Sequence, residues 1–308
     1  MTRWKSFTIE TRRDAVEALT HFFLTQGSLG MAYDERKFGV QGDPSAPLPP
    51  PEETTKLTAY FPWESDLRDL KKAFLDFLPV LAESFGPGAG SFLSAGEITD
   101  YGWAETWKEH FKARKIGRRL VVKPSWETYF GKPEDVVVTV DPGQAFGTGT
   151  HETTRMCLRL LEDAFDVAPP PRTALDIGTG TGILGIAAAL LGSRRTLGID
   201  VDPKAVEVAG ENAKANGVAE RFAAASTPLS VIAETYDLIL ANLLAEILID
   251  LKKEIVARCA PGGGLILSGI LTEKSGWVEE EFLAEGARRV KRKTENQWAA
   301  LLLRRDVH

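Results

Sequence analysis

The stretch LDIGTGTG, Leu175 to Gly182, decides how the second half of this chain folds. An apolar, strand-like run at residues 174–177 enters it, and a helix-like run at residues 183–191 leaves it. Glycines at a turn between a strand and a helix allow the backbone to approach a nucleotide-like ligand closely. The sequence therefore predicts a cofactor-binding turn of an α/β domain at this position.

The rest of the second half alternates helices with strands. The pattern predicts helices at 153–162, 183–191, 203–216 and 245–259, and strands at 174–177, 196–199, near Phe222, 237–241 and 265–268. Such alternation is typical of a mostly parallel sheet with helices on both faces. Residues 288–295 and 298–303 differ, because they predict two strands with little between them, hence an antiparallel pair at the sheet edge.

The first hundred residues predict a smaller α+β domain. Strands at 4–9, 30–33, 56–61 and 91–98 and helices at 14–24 and 66–81 form two β-α-β halves, the order of a ferredoxin-like sandwich. The Pro-rich segment 42–51 joins the halves as a loop, because its prolines suit neither a sheet nor a helix. Trp103 and Trp107 lie four residues apart and predict a linker helix at 101–116, so that the second domain spans 117–308.

Composition and charge narrow the classes of function. The 308 residues suit two domains, and 44% hydrophobic and 26% charged residues are ordinary for a globular protein. The apolar runs fall well short of the roughly 20 residues that span a bilayer, and the first residues predict no secretory signal, so we expect a cytoplasmic protein. The net charge of −6 disfavours direct binding to nucleic acid. Cys157 and Cys259 lack Cys or His neighbours, which predicts buried thiols and no metal site.

The glycine turn by itself does not distinguish two cofactors. The glycines from Gly180 onward also satisfy GxGxxG, and Asp200 lies 20 residues after Gly180, as in a dinucleotide site. A carboxylate at the end of the second strand suits the ribose diol of NAD and of S-adenosylmethionine alike. Asp176, just before Gly178, favours S-adenosylmethionine, because a carboxylate there would repel a pyrophosphate but would accept hydrogen bonds from an ammonium group.

A second glycine-rich segment, DPGQAFGTGTHETT at residues 141–154, precedes the first. Together with LDIGTGTG, GIDVDP at 198–203 and ANLLA at 241–245, it resembles the PrmA family, methyltransferases of ribosomal protein L eleven that use S-adenosylmethionine. The resemblance spans nearly the whole chain and implies a Rossmann-like, seven-stranded methyltransferase domain. It also implies N-methylation of lysine, and of α-amino groups as well, in a large-subunit ribosomal protein.

The resemblance and the residues together define the candidate site. In the PrmA family the segment matching 141–154 covers the cofactor, which implies that Phe146 and Thr154 contact it here. The other cofactor-binding candidates are Asp176, Gly178, Gly180, Asp200 and Asn242. Asn242 and Leu243 are the catalytic candidates, because a side-chain oxygen and a backbone carbonyl can hold an amine with its lone pair directed at the methyl group. A lysine amine, with a pKa of ~10.4, must first lose a proton, and desolvation beside a cation lowers that pKa.

Three interpretations of the function stay open at this point. The first is a monomeric lysine methyltransferase of a ribosomal protein, which uses no metal and binds neither nucleic acid nor membrane. The second keeps the chemistry but changes the target to another protein or to a small amine. The third is a non-catalytic protein whose ferredoxin-like unit binds a partner while the second domain senses the cofactor. Three further polar residues carry simpler expectations: helix-entry packing for His151, and solvated charge for Glu152 and Glu246.

Overall fold

The computed structural model describes residues 3–33, 54–99, 112–141, 149 and 151–307. Two compact units divide the chain, Met1–His110 and Phe111–His308. The Pro-rich segment 42–51, the pair Trp103 and Trp107, and the cofactor-covering candidate Phe146 lie outside the described residues. Within the span 101–116, expected to be a linker helix, residues 114–115 form a short strand, which corrects the end of that prediction.

The first unit is a four-stranded antiparallel sheet with two helices. Its elements are β1 (Arg3–Arg12), α1 (Val16–Thr25), β2 (Gly30–Tyr33), β3 (Thr54–Pro62), α2 (Leu67–Phe85) and β4 (Gly90–Thr99). The β-α-β-β-α-β order and the sheet order β2-β3-β1-β4 are those of a ferredoxin-like sandwich, as the sequence predicts. Alternate residues of the central strands, among them Phe7 and Phe61, pack with Phe23 and Phe74 of the helices. This aromatic core holds both helices to one face of the sheet.

The second unit contains a seven-stranded and a three-stranded sheet. Its elements are β5 (Arg114–Lys115), β6 (Leu120–Lys123), β7 (Val136–Thr139), α3 (Glu152–Phe165), β8 (Thr173–Ile177), α4 (Ile183–Leu191), β9 (Arg195–Ile199), α5 (Pro203–Ala215), β10 (Phe222–Ala225), β11 (Tyr236–Asn242), α6 (Ala245–Arg258), β12 (Cys259–Leu271), α7 (Ser275–Ala284), β13 (Ala287–Glu295) and β14 (Trp298–Arg305). The larger sheet has the order β10-β9-β8-β11-β12-β14-β13. Its first five strands are parallel, and β14 is antiparallel to both β12 and β13. The predicted fold class is thereby confirmed.

The seven-stranded sheet carries a hydrophobic layer on each face. Along β11, Leu238 and Leu240 belong to one layer and Ile239 and Ala241 to the other, as the two-residue period of a strand requires. Helices α3, α4 and α5 cover the first face together with β6 and β7, and helices α6 and α7 cover the second. Because β8, β9 and β11 are parallel, their carboxyl ends meet at one edge, where ligands bind in such folds.

Among the described helices, α7 is the α-helix that the sequence did not predict. The buried face of this helix has few apolar residues. Val278 and Phe282 are its buried hydrophobic residues, and the charged Glu279 is buried between them. Glu279 forms ion pairs with Arg289 and Arg292 of β13. The helix therefore depends on cations that come later in the chain, and its own residues give little indication of this.

A buried carboxylate joins α3 to the small sheet. Glu162 is 1% exposed and accepts hydrogen bonds from the backbone N–H groups of residues 118–120 at 2.6–2.7 Å. A side chain at Gly117 would collide with this carboxylate, so the chain passes close to it. The helix also buries the thiol of Cys157, and Cys259 is buried at the start of β12, as the sequence predicts.

Candidate functional site

The glycine turn between β8 and α4 has a backbone that favours glycine. Gly178, Gly180 and Gly182 have φ angles of 68°, 53° and 81°, a region that L side chains rarely occupy. The N–H of Gly178 donates to the carbonyl of Ile199 in β9 at 2.9 Å, which ties the turn to the neighbouring strand. A Cβ at Gly178 would lie 2.5 Å from Cδ2 of Leu243. The turn is therefore packed directly against the segment that follows β11.

Asp176 lies under this turn, next to the end of β8. It is 1% exposed, and its Oδ2 accepts hydrogen bonds from Oγ1 of Thr179 at 2.7 Å and from the N–H of Gly185 at 3.0 Å. Burial, with a smaller contribution from the charge of Asp200, raises the pKa of Asp176 to about 6 against these two hydrogen bonds. The carboxylate thus fixes the shape of the turn and places negative charge beneath it.

Asp200 follows β9 at the same edge of the sheet. Its Oδ2 accepts from the N–H of Gly180 at 2.9 Å, and its Oδ1 accepts from the N–H of Asp202 at 3.0 Å. Each carboxylate oxygen has a second lone pair, so Asp200 retains acceptors for two further donors, such as the hydroxyls of a ribose. Asp202 has a different task, because it caps α5 by accepting from the N–H of Lys204 at 2.9 Å, with Pro203 at the first helical position.

Asn242 is the last residue of β11. Its Nδ2 lies 3.5 Å from Oγ1 of Thr154, the long limit of a hydrogen bond. Its Oδ1 is buried and has no hydrogen-bond partner among the described residues. An unsatisfied buried amide oxygen costs about 1–3 kcal/mol unless a ligand supplies a donor. The structure therefore presents an acceptor at the edge of the sheet that calls for an N–H or O–H group.

The segment after Asn242 is held by the neighbouring strand. The N–H of Leu243 donates to the carbonyl of Ser268 in β12 at 3.0 Å. Its carbonyl lies against Gly269, whose φ is 80° and where any Cβ would collide with it. Glu246, in the first turn of α6, forms an ion pair with Lys274, and this hydrogen bond lowers the pKa of Glu246. Both residues of the predicted catalytic pair are thus tied to the neighbouring strand β12.

Sequence reasoning missed one component of the site, the turn between β13 and β14. Asn296, with φ 54°, donates from Nδ2 to Oε1 of Glu152 at 2.7 Å. The indole of Trp298 meets the ring of His151 edge-on, with 5.3 Å between centroids. Both contacts hold the first turn of α3, which carries Thr154. The two residues between β13 and β14 are typical of a β-hairpin and indicate the turn, but they do not indicate which helix the turn contacts.

The structure thus brings six of the predicted site residues to one edge of the sheet. These are Asp176, Gly178, Gly180, Asp200, Asn242 and Leu243, and Thr154 joins them from α3 through Asn242. Two carboxylates and a glycine turn lie on the β8 and β9 side, and an amide and a carbonyl lie on the β11 side. The first group can bind a cation or the hydroxyls of a ribose, and the second group can accept hydrogen bonds from an N–H donor.

The strand order with its antiparallel β14 places the second unit among the Rossmann-like methyltransferases. The family model described as "Ribosomal protein L11 methyltransferase (PrmA)" matches residues 3–306, and the chain belongs to that family. It is 40% identical over 301 residues to the ribosomal protein L11 methyltransferase of Syntrophotalea carbinolica, covering 97% of each chain. The corresponding protein of Geobacter sulfurreducens is 38% identical over 307 residues, covering 99% of each.

A solved structure agrees with this membership. The ribosomal protein L11 methylase from Lactobacillus delbrueckii subsp. bulgaricus superposes with a TM-score of 0.58 and 32% sequence identity, covering 64% of this chain and all of that one. Among the residues that the structure describes, none of the helices has the length and apolar character needed to cross a membrane.

Proposed function

We propose that this protein transfers methyl groups from S-adenosylmethionine to amines of ribosomal protein L11, with lysine side chains as the principal acceptors. One observation carries the proposal: the buried Oδ1 of Asn242, which has no partner among the described residues and lies beside the glycine turn. An amide oxygen in this position suits a substrate that brings its own N–H. Membership of the family supports the target protein.

The residues at the sheet edge fit S-adenosylmethionine. When bound, this cofactor supplies a methyl group on a sulfonium, open to in-line displacement by a neutral amine. Asp200 would accept from the ribose hydroxyls, and Asp176 would place negative charge opposite the ammonium of the methionine moiety. Thr154 has a hydroxyl hydrogen left to donate to the cofactor carboxylate, since its oxygen accepts from Asn242. Phe146, outside the described residues, is the proposed cover.

The acceptors for the amine are both electrically neutral. Oδ1 of Asn242 and the carbonyl of Leu243 accept N–H hydrogen bonds without adding a negative charge that would raise the pKa of the amine. Exclusion of water lowers that pKa and helps the ammonium to lose its proton. The two fixed acceptors then hold the amine hydrogens so that its lone pair faces the methyl group, and such alignment can supply about 7–11 kcal/mol of a reaction barrier.

The test compares two substitutions of Asn242. Asn242→Ala should leave cofactor affinity, measured by calorimetry, within a few fold but should lower single-turnover methylation of purified L11 by roughly 10²-fold, because the amine is no longer aligned. Asn242→Asp keeps the shape and the acceptors but adds a charge, so its rate should recover only at higher pH. Transfer at the parent rate by Asn242→Ala would remove this residue from the active site.

The target is tested separately with cell lysate and labelled cofactor. Mass spectrometry of the labelled band should identify lysine residues of L11. A different labelled protein would keep the chemistry and change the substrate. Cofactor binding without any transfer would mean a protein that only senses the cofactor. A cytoplasmic location, where ribosomal proteins are made, is part of the same proposal.

We also propose that the first unit recognises the protein substrate. It has a hydrophobic core of its own, and the residues proposed for the chemistry all lie beyond residue 141. A truncated chain starting at Phe111 should therefore still bind S-adenosylmethionine but lose most methylation of folded L11. Contacts remote from the reacting amine contribute to its positioning, so their loss lowers the transfer rate. Methylation at the full-length rate would place recognition in the second unit.

A further inference from the structure

The first turn of α3 connects a histidine to the acceptor amide. His151 is the residue before the helix, and its Nδ1 accepts a hydrogen bond from the N–H of Thr153 at 3.3 Å. The same nitrogen lies 2.8 Å from Oγ1 of Thr153. A ring nitrogen that accepts from a backbone N–H carries no proton, so the ring is neutral and its proton is on Nε2. His151 thus serves as the N-cap of α3.

We propose that His151 is a positioning residue for methyl transfer: its neutral ring caps α3 and thereby holds Thr154 against Asn242. Thr154 follows the capped residue in the first turn of α3 and is 1% exposed, so its side chain is packed inside the protein. Its Oγ1 lies 3.5 Å from Nδ2 of Asn242, and the other end of that amide, Oδ1, is buried with no hydrogen-bond partner among the described residues. The inference rests on the proposed function, since it assigns a cause to the orientation of Asn242.

The surroundings of His151 favour the neutral ring. Burial lowers the pKa of His151 below its ordinary value, and the positive charge of Arg155 lowers it further. Glu152 on α3 and Glu295 on β13 oppose this shift. Both carboxylates have other partners, because Glu152 accepts from Asn296 and Glu295 accepts from Arg155 at 3.1 Å. The cap is therefore intact at neutral pH and is lost as the pH falls through the lowered pKa.

The geometry does not suit His151 as a proton relay. Nδ1 is engaged with Thr153, and Nε2 lies 3.6 Å from Oε2 of Glu152. Trp298 packs edge-on against the ring. The ring is thus held at the helix entrance, and its contacts lead to Asn242 through the helix turn. Loss of the cap should act on the alignment of the amine.

The experiment compares the parent protein with His151→Asn and His151→Ala. Asparagine is a good N-cap that does not titrate between pH 5 and 8, whereas alanine caps poorly. Single-turnover methylation of L11 is measured across this pH range with saturating cofactor. At pH 8 we expect His151→Ala to be slower than the parent by about 3- to 30-fold, the factor that corresponds to a lost N-cap. His151→Asn should transfer within about 3-fold of the parent, because it restores the cap.

The ratio of parent rate to His151→Asn rate isolates the titration of His151. Deprotonation of the substrate amine affects both proteins equally and cancels in this ratio. The ratio should fall by about 3- to 30-fold as the pH drops through the pKa of the histidine, since the protonated ring no longer accepts from Thr153. A ratio that stays flat while the ring of His151 takes up its proton, or a His151→Ala variant that transfers at the parent rate, would overturn the proposal.

A double substitution separates this inference from the proposed role of Asn242. If His151 acts through Asn242, the effect of His151→Ala should vanish in an Asn242→Ala background. Additive effects of the two substitutions would overturn the inference and leave the role of Asn242 intact. If the single variant Asn242→Ala transfers at the parent rate, the proposed role of Asn242 as the amine acceptor is wrong. That result differs from the additive effects that would contradict the role of His151 alone.

Discussion

Replacing Asp176 by asparagine is expected to stabilise the protein at neutral pH and to weaken cofactor binding. The carboxylate is 1% exposed, and burial raises its pKa from 3.8 to about 6. Its Oδ2 accepts from Thr179 and Gly185, and an asparagine oxygen in the same place would accept both hydrogen bonds. The substitution therefore removes a buried negative charge and keeps the contacts that shape the glycine turn.

The gain in stability follows from the two pKa values of Asp176. Between pH 3.8 and about 6 the folded protein keeps a proton that the unfolded chain has released, so the free energy of unfolding falls as the pH rises. Above about pH 6, Asp176 is ionised in both the folded and the unfolded protein, and the free energy of unfolding decreases no further on its account. A shift of about 2 units corresponds to about 3 kcal/mol, a substantial part of the roughly 5–15 kcal/mol by which domains are stable.

Urea denaturation at pH 7.5 and pH 4.5 measures this gain, with Asp202→Asn as the matched control. Asp202 is an exposed helix cap, and asparagine caps equally well, so the control should change the unfolding free energy by less than about 0.5 kcal/mol. Asp176→Asn should gain up to about 3 kcal/mol at pH 7.5 and about a third of that at pH 4.5. Calorimetry should show weaker S-adenosylmethionine binding. A variant less stable than the parent at pH 7.5, or equally stabilised at both pH values, would refute the reasoning.

Three further substitutions test the site and its support. Asp200→Ala should weaken S-adenosylmethionine binding by about 1.5–3 kcal/mol in calorimetry, the range for a lost charge-assisted hydrogen bond; an unchanged dissociation constant would contradict the cofactor assignment. Gly178→Ala should lower the transfer rate more than Gly217→Ala, because the φ angles are similar, 68° and 66°, but only the first Cβ meets Leu243. Glu162→Gln should lower the free energy of unfolding by about 1–3 kcal/mol, since an NH₂ group would face a backbone donor; denaturant melts at the parent midpoint would argue against this.

Much of the fold is determined by patterns among residues that are close in the chain, which is why the sequence predicts it. The two-residue period of β11 and the glycines around α4 depend on neighbours in the chain, and both elements form where the pattern places them. Helix α7 is different, because its buried Glu279 is balanced by arginines of the following strand. The spacing of apolar residues predicts which face of a helix is buried, and a glutamate on that face weakens the prediction. The missing information lies in the tertiary ion pairs.

The candidate site shows the same division. Gly178, Gly180 and Asp200 follow from motif spacing, because each sits at a turn next to a strand end. The contact between Asn242 and Thr154 spans 88 residues, and the contact between Asn296 and Glu152 spans 144. No local pattern in a single sequence encodes such pairs. The placement of the Asn242 amide beside Thr154 is therefore a property of the folded chain.

Two polar groups that folding leaves poorly compensated lie on adjacent strands at the same edge. Asp176 is paired in register with Leu240 of β11, and Asn242 lies two residues further along that strand. The first is a buried carboxylate that destabilises the folded protein at neutral pH, and the second is a buried amide oxygen with no described partner. A chain retains such groups where a ligand compensates them on binding. The carboxylate calls for a cation and the amide oxygen for an N–H donor, which is the combination of groups that the proposed function requires. That pairing, more than either group alone, favours methyl transfer to nitrogen over simple cofactor binding.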